Sequence, residues 1–270
     1  MKTLTQASLF FLLAFIGVSC SSGKPRAISI KTPPGFTNMV IAHRGAFKNT
    51  GVPENSIASL NAAIDMGCGG SEFDIHMTSD SVPVVNHDHT FEGLDIEKNT
   101  YAALLEKTLP NGEKIPTLES YFKAGLGQTN TKLIAEIKPS KVSKERSLAL
   151  AGRVVNIVKQ LNATAQTVYI SFDYDILKKV RELQPNAPVQ YLNGDVSAEK
   201  LKADGMDADY HFSVFQKDPN WIKNAKSLGI LVNAWTVNDE SIMDNLIEQG
   251  IDFITTNEPE LLLKKVKDEK

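Results

Sequence analysis

From about residue 38 onward, short apolar, β-rich runs alternate with stretches whose apolar residues recur every third or fourth position. The short runs are Val40 to Ala42, Ser71 to Ile75, Lys132 to Ile137, Thr167 to Phe172, Pro188 to Leu192, Ala208 to Phe212, Ile230 to Trp235 and Asp252 to Thr255. Each has the length and composition of a buried strand. Between them, Ser56 to Met66 places Ile57, Leu60, Ala63 and Ile64 on one helical face, and Ser143 to Leu161 does so with Leu148, Ala151, Val155 and Val158. Sustained strand–helix alternation implies an α/β fold with a parallel sheet. Eight runs of this kind match a closed (β/α)8 TIM barrel. An open doubly wound sheet is the competing architecture.

Two segments break the alternation. Val82 to Asn86 reads as a further strand, joined to the second by the turn-prone Ser79-Asp80-Ser81, which predicts a short hairpin appended after strand 2. Asp88 to Lys114 is a longer excursion with weak periodicity and the turn signal Pro110-Asn111-Gly112. It reads as an insertion or lid over one end of the barrel. There are no internal repeats and no low-complexity tracts.

The first twenty residues have a different character. Leu9 to Val18 is an apolar run of about ten residues, too short to cross a bilayer. Ser19-Cys20 follows and resembles a bacterial lipoprotein processing box, in which the cysteine becomes the lipidated first residue, although Gly17 stands where such boxes usually carry Leu. Residues 1–20 are thus expected to be an export signal ending at a lipidated Cys20, ordinary signal cleavage nearby with loss of Cys20 being the alternative; residues 21–37 are expected to be a polar tether and residues 38–270 the barrel. The expected location is the periplasm or cell envelope, with membrane contact only through the lipid anchor. Cys68 then has no partner in the chain and is expected to be a buried small apolar side chain rather than a reactive thiol.

Net charge narrows the partners. The formal charge is −3, and Lys and Arg are dispersed among Asp and Glu without a basic block, so nucleic acid is not expected. Aromatic residues make up 7% of the chain, too few for a carbohydrate platform or a single-strand stacking surface.

The chemistry-bearing residues collect at the C-terminal ends of the strands, where parallel barrels carry their active sites. Glu72 and Asp74 lie two apart on one strand and point to the same side. Glu136 comes from the next parallel strand. A single carboxylate here could simply cap a turn. Three converging carboxylates repel one another unless a cation sits between them, and oxygen-only ligands select a hard divalent ion, Mg²⁺ or Ca²⁺. His76, two residues further on, could join them, but solvated surface is its expected place. His43 and His87, each at a strand end, suit acid–base work near neutral pH. Arg44 and Lys138 suit a phosphate, Arg by its planar fork and Lys as a point charge; salt bridges to nearby carboxylates, such as Arg44 to Glu54, are the alternative.

With these residues placed, the chain resembles the glycerophosphodiester phosphodiesterase family, a branch of the phospholipase-C-like TIM-barrel phosphodiesterases. The matching stretches are His43-Arg44-Gly45, Pro53-Glu54-Asn55-Ser56, Glu72-Phe73-Asp74, Val82 to Asp88, Ile115 to Glu119, Glu136-Ile137-Lys138-Pro139, Ile170-Ser171-Phe172, Ala234 to Asn238 and Phe253 to Pro259. Each is weak alone; their order over residues 38–266 is specific. The resemblance implies a barrel with a small insertion and metal-dependent hydrolysis of glycerophosphodiesters to glycerol 3-phosphate and an alcohol. It implies Glu72, Asp74 and Glu136 as metal ligands, His43 and His87 as the acid–base pair, and Arg44 and Lys138 as phosphate ligands. Glu54 would support the metal or Arg44, and Trp235 would form an apolar wall for the substrate. Departures are Ser56 for the usual Thr, Ser81 for a turn Gly, Asn257 where Asp is frequent, and Phe91 to Asp95 in place of an Arg-Thr-Thr-like run. A related diesterase acting on lysophospholipids or glycerophosphoinositol is the alternative enzyme, and a non-catalytic envelope binding protein is the alternative outside enzymes.

Overall fold

The computed structural model describes residues 32–268. The expected export signal, Cys20 and the first part of the expected tether lie outside the described residues. In chain order the elements are β1 (Val40–Ala42), α1 (Ile57–Met66), β2 (Gly70–Met77), β3 (Pro83–Val85), β4 (Thr90–Phe91), β5 (Leu94–Asp95), α2 (Tyr101–Leu104), α3 (Leu118–Gly125) and β6 (Lys132–Ile137). They continue with α4 (Lys144–Gln160), β7 (Thr167–Ser171), α5 (Tyr174–Leu183), β8 (Val189–Tyr191), α6 (Ala198–Asp204) and β9 (Asp207–His211). The last are α7 (Ser213–Lys217), α8 (Trp221–Ser227), β10 (Val232–Trp235), α9 (Glu240–Glu248), β11 (Phe253–Thr256) and α10 (Pro259–Asp268).

The eight parallel strands run β1-β2-β6-β7-β8-β9-β10-β11 around a barrel that closes where β1 pairs with both β11 and β2. The open doubly wound alternative is excluded by the pairings Val40↔Ile254 and Ile41↔Gly70, which join the two ends of the sheet. Strand alternation sorts side chains between two cores. Phe73 points outward and stacks on Tyr121 of α3 at 4.5 Å between ring centroids. Ile41, Ile134, Val168, Ile170, Leu192 and Phe253 point inward and fill the barrel. Gly70 is required there: a Cβ on it would come within 2.7 Å of Ile41 Cδ1 and 3.1 Å of Ile134 Cγ1. Phe36 covers the N-terminal end, its ring 4.4 Å from that of Phe253.

The two helices expected from periodicity begin one residue after serine caps. Ser56 accepts from the Ser59 amide and Ser143 from the Arg146 amide, satisfying amides that the first turn leaves without partners.

The predicted hairpin after strand 2 forms as β2–β3, antiparallel, with Ile75 opposite Val85. Its turn puts Ser81 at φ 67°, a left-handed conformation that explains why Gly is usual there. The segment from Asp88 to Lys114 is an ordered insertion holding the β4–β5 hairpin and α2. Val84, Phe91, Ile96, Leu104 and Ile115 form its own small core. Elements of two to four residues are too short to show a period, so the sequence registered only weak patterning. Two carboxylates fasten the insertion to the barrel. Glu113 accepts from the Ile57 amide at 3.0 Å at the start of α1, and Glu97 accepts from the Lys141 amide at 2.9 Å and pairs with Arg146.

Candidate active site

The C-terminal end of the barrel opens into a cavity lined by His43, Arg44, Glu72, Asp74, His87, Glu136 and Lys138 on one side and by Ile170, Phe172, Leu192, Asp209 and Trp235 on the other. The residues expected from sequence therefore meet in one place, Glu54 excepted, which stands behind Arg44.

The carboxylates come from adjacent strands in register, Asp74 opposite Glu136. Each of Glu72, Asp74 and Glu136 offers an oxygen, and these oxygens lie within 4.8 Å of one another. All three side chains are buried. Burial, then the charges of Asp74 and Glu136, push Glu72 well above the usual carboxylate range. Burial and Asp74 push Glu136 up to about 7. Burial would raise Asp74 as well, but Lys138 and neighbouring positive charge outweigh it and hold Asp74 down to about 2. Lys138 Nζ lies 2.7 Å from Asp74 Oδ1 and 2.7 Å from Glu136 Oε1. One ammonium thus bridges the two carboxylates.

Asn55 supports the trio in a way the sequence did not disclose. Its side-chain amide donates to Asp74 Oδ2 at 2.8 Å, and its carbonyl accepts from the Asp74 amide at 3.1 Å. This two-point clasp fixes the Asp74 rotamer. Arg44 and Asn55 have φ of 54° and 55°. For Arg44 the left-handed conformation costs roughly 1–2 kcal/mol. It persists because the Arg44 amide donates to Glu72 Oε2 at 2.8 Å and the Arg44 carbonyl accepts from the Asn55 amide at 3.0 Å. The strained turn thus ties β1 to the carboxylates. Arg44 Nη1 donates to both oxygens of Glu54, at 2.9 and 3.0 Å, and Arg44 Nε, 3.7 Å from Asp74 Oδ2, is buried without a hydrogen-bond partner.

His43 follows β1. Its Nδ1 lies 2.7 Å from Asn257 Oδ1, and an amide oxygen only accepts, so the proton is assigned to Nδ1 and the lone pair to Nε2. That Nε2 is 4.0 Å from Glu72 Oε2. Burial, with help from the charge of Arg44, lowers His43 to about 4, which keeps it neutral near pH 7. Asn257, where Asp is frequent in the resembling family, thus still orients the imidazole. His87 is placed by the chain leaving β3, and its Nδ1 lies 2.8 Å from Asp88 Oδ1. His76 is corrected: it is not on the solvated surface but buried, its Nε2 3.0 Å from the His87 carbonyl and its ring 4.6 Å from that of His89. The insertion covers a face that an isolated strand would expose. His76 therefore helps hold the His87 backbone.

Trp235 forms the opposite wall. Its indole N–H donates to the Asp209 carbonyl at 2.9 Å, and Phe172 meets it edge-on at 5.4 Å between ring centroids. Cys68 is a buried thiol, pushed up to about 12 by burial, in keeping with the inert role expected of it.

A divalent ion fits this donor set. Glu72 Oε1 is buried without a hydrogen-bond partner, and the charge repulsion among the three carboxylates is answered only in part by Lys138. The two raised carboxylates fix the sign of a pH effect. Their stabilising contribution is complete below their ordinary value of 4.5 and is lost as pH rises, for Glu136 through about 7 and for Glu72 as it ionises well above the usual carboxylate range. Asp74, lowered to about 2, is constant across that window. A cation binds the ionised form, so saturating Mg²⁺ or Ca²⁺ should raise Tm more at pH 8 than at pH 6. Equal shifts at the two pH values would contradict the assignment.

A barrel whose strand ends carry clustered carboxylates, two histidines and two cations has the makings of a phosphoric ester hydrolase. The family model for the glycerophosphoryl diester phosphodiesterase family matches residues 43–261. A glycerophosphodiester phosphodiesterase from Parabacteroides distasonis is 43% identical, superposes with a TM-score of 0.83, and is matched over 86% of this chain and 97% of its own. A phosphodiesterase from Oleispira antarctica, solved with the product sn-glycerol-3-phosphate, is 28% identical with a TM-score of 0.72, over 85% of this chain and 96% of its own. Among curated proteins, the glycerophosphodiester phosphodiesterase of Caldanaerobacter subterraneus is 28% identical over 246 residues, 85% of this chain and 98% of that protein. The chain is a phosphoric diester hydrolase. It belongs to the glycerophosphoryl diester phosphodiesterase family.

Proposed function

We propose that this cavity hydrolyses glycerophosphodiesters to glycerol 3-phosphate and an alcohol by histidine acid–base catalysis beside a divalent cation held by Glu72, Asp74 and Glu136. The observation that carries the reading is the convergence of three buried carboxylates with His43, whose Nε2 stands 4.0 Å from the cluster. Bound there, a hard divalent ion would polarise a phosphoryl oxygen and acidify a hydroxyl beside it. Lys138 and Arg44 supply the remaining positive charge facing the phosphate.

The protein residues divide the proton transfers. His43, neutral and with its lone pair on Nε2, takes the proton of the attacking oxygen. His87 returns a proton to the departing alkoxide as the phosphorus–oxygen bond breaks. The attacking oxygen is the glycerol hydroxyl next to the esterified carbon, already tethered to the phosphate; tethering of this kind supplies several kcal/mol of the barrier. The product of that step is a five-membered cyclic phosphate. Water then opens it with the histidines exchanging roles, His87 taking the water proton and His43 returning one to the glycerol oxygen. Direct attack by water is the alternative course.

The groove between the insertion and the cavity favours a water-soluble substrate. It is lined by Glu54, Asn86, His87, Asp88 and Glu92 beside Phe91 and Leu109, a polar surface rather than a track for an acyl chain.

Turnover of glycerophosphocholine, with release of glycerol 3-phosphate and choline, tests the reading. A deoxy analogue lacking the neighbouring hydroxyl should be cleaved far more slowly while still competing for the site. Comparable cleavage of the analogue would mean that water attacks directly. Tight binding of glycerophosphocholine without any product would make the protein a binding protein.

A further inference from the structure

β2 runs on past the carboxylates, and the next residue on the face of Glu72 and Asp74 is His76. Its strand neighbours are apolar. Val84 of β3 lies opposite it in register, and Ile75 and Met77 on either side are core residues. Packing alone would be served by an aliphatic side chain there. The residue is instead a buried imidazole with its Nε2 3.0 Å from the His87 carbonyl. A carbonyl only accepts, so the proton is assigned to Nε2. His89, from the start of the insertion, packs on the ring at 4.6 Å between centroids and 58° between planes.

The turn that carries His87 is held on both sides. The Asn86 backbone amide donates to the Asp74 carbonyl at 3.0 Å, and the Asn86 side-chain amide donates to the carbonyls of Asp88 at 2.7 Å and Thr90 at 3.2 Å. The His87 carbonyl lies between those anchors, and His76 is its donor. Resting on the proposed assignment of His87 as the acid, we propose that His76, braced by His89, is the positioning residue that aims the His87 imidazole at the departing oxygen. Without the donor the His87 peptide is free to turn, and the ring moves with it. A misplacement of about 1 Å in a reacting group costs on the order of 10²-fold in rate. The insertion thereby acts on catalysis from outside the reacting groups: through the contact between His89 and His76, its packing sets the geometry of the proton donor.

The expected signature is dependence on the leaving group, which a merely structural role would not give. Choline leaves as a basic alkoxide and needs the acid; 4-nitrophenolate leaves without a proton. His76→Phe keeps a ring against His89 and removes the donor. It should lower kcat on glycerophosphocholine roughly 10- to 100-fold at little changed KM. On the 4-nitrophenyl ester of glycerol 3-phosphate the fall should be less than about threefold. His76→Gln, whose side-chain amide retains a donor of similar reach, should restore most of the loss.

The decisive measurement is a double-mutant cycle with His87→Ala on glycerophosphocholine. A residue that acts only through His87 has nothing left to position in that background, so His76→Phe should then change kcat by less than about twofold. A full additional loss in the double variant overturns the proposal. Unchanged kcat in His76→Phe alone overturns it too, as does an equal fall on both esters where His87→Ala separates them, which would place the disturbance at Asp74. If His76→Phe does not fold, His89→Ala removes the brace from a partly exposed position and reads the same ratio between esters. Preferential loss on glycerophosphocholine then supports the proposal, and equal effects overturn it. If His87→Ala slows both esters alike, the assignment of the acid fails, and the cycle still decides the positioning. If no diester is cleaved, the NMR order parameter of the His87 ring decides: a lower value in His76→Phe supports the positioning, and an equal value overturns it.

Discussion

Replacing His43 by Ala is expected to lower turnover of glycerophosphocholine by roughly 10²- to 10⁴-fold, the range for loss of a general acid or base. The fold should survive. His43 sits beyond the end of β1, and its side chain makes one hydrogen bond, to Asn257. Losing that bond costs on the order of 1 kcal/mol. His87→Ala should show the same loss of turnover. His87 reaches the cavity with its Nδ1 on Asp88, and its carbonyl, which the substitution retains, still receives His76. Steady-state kinetics beside a thermal melt read both effects. Near-normal turnover in either variant would assign that histidine a structural role.

Glu72→Gln has the second large effect, and it moves activity and stability in opposite directions. The glutamine amide retains an acceptor for the Arg44 amide, which now binds Glu72 Oε2 at 2.8 Å. The substitution removes the charge that would hold the cation. Lewis-acid stabilisation of phosphoryl transfer is worth several kcal/mol, so turnover should fall on the order of 10³-fold. In the cation-free protein the substitution removes a carboxylate that burial, Asp74 and Glu136 hold well above its usual range. That group opposes folding increasingly as pH rises, so the cation-free variant should melt above the unmodified protein at pH 8 and close to it at pH 5. A variant that melts lower at pH 8 would show that Glu72 is already matched without a cation.

Much of this site was legible because strand alternation is a rule of geometry. Glu72 and Asp74 had to share a face, and Glu136 had to lie on the neighbouring strand once the order of runs was read as a barrel. Ser56 and Ser143 marked helix starts because their hydroxyls cap amides wherever they precede an apolar face. Contacts that depend on long-range packing were not legible. Nothing local distinguishes Asp207 from Asp209: both lie on the inward face of β9. Yet Asp207 accepts from the Leu231 amide at 2.9 Å while Asp209 lines the cavity. His76 looked solvated because the cover over it comes from an insertion without a readable period. Asn55 stood inside a recognised motif, but its clasp on Asp74 spans nineteen positions of chain and emerges only when α1 and β2 are packed together.

Lys138 shows the same limit. Its type and strand position suggested a phosphate ligand, and it does line the cavity. In the structure its ammonium lies 2.7 Å from both Asp74 and Glu136, where it neutralises charge that a cation would share. The sequence identified the positive charge and the cavity; the division of that charge between carboxylates and phosphate depends on side-chain placement within a few ångströms.

The central claim is that the carboxylate trio holds a cation on which phosphodiester hydrolysis depends. The protein should be stripped with EDTA, dialysed, and assayed on glycerophosphocholine before and after return of Mg²⁺ or Ca²⁺, with glycerol 3-phosphate as the product followed. The account predicts negligible turnover by the stripped protein, recovery on adding the ion, and no recovery in Glu72→Gln. Undiminished turnover by the stripped protein would contradict it.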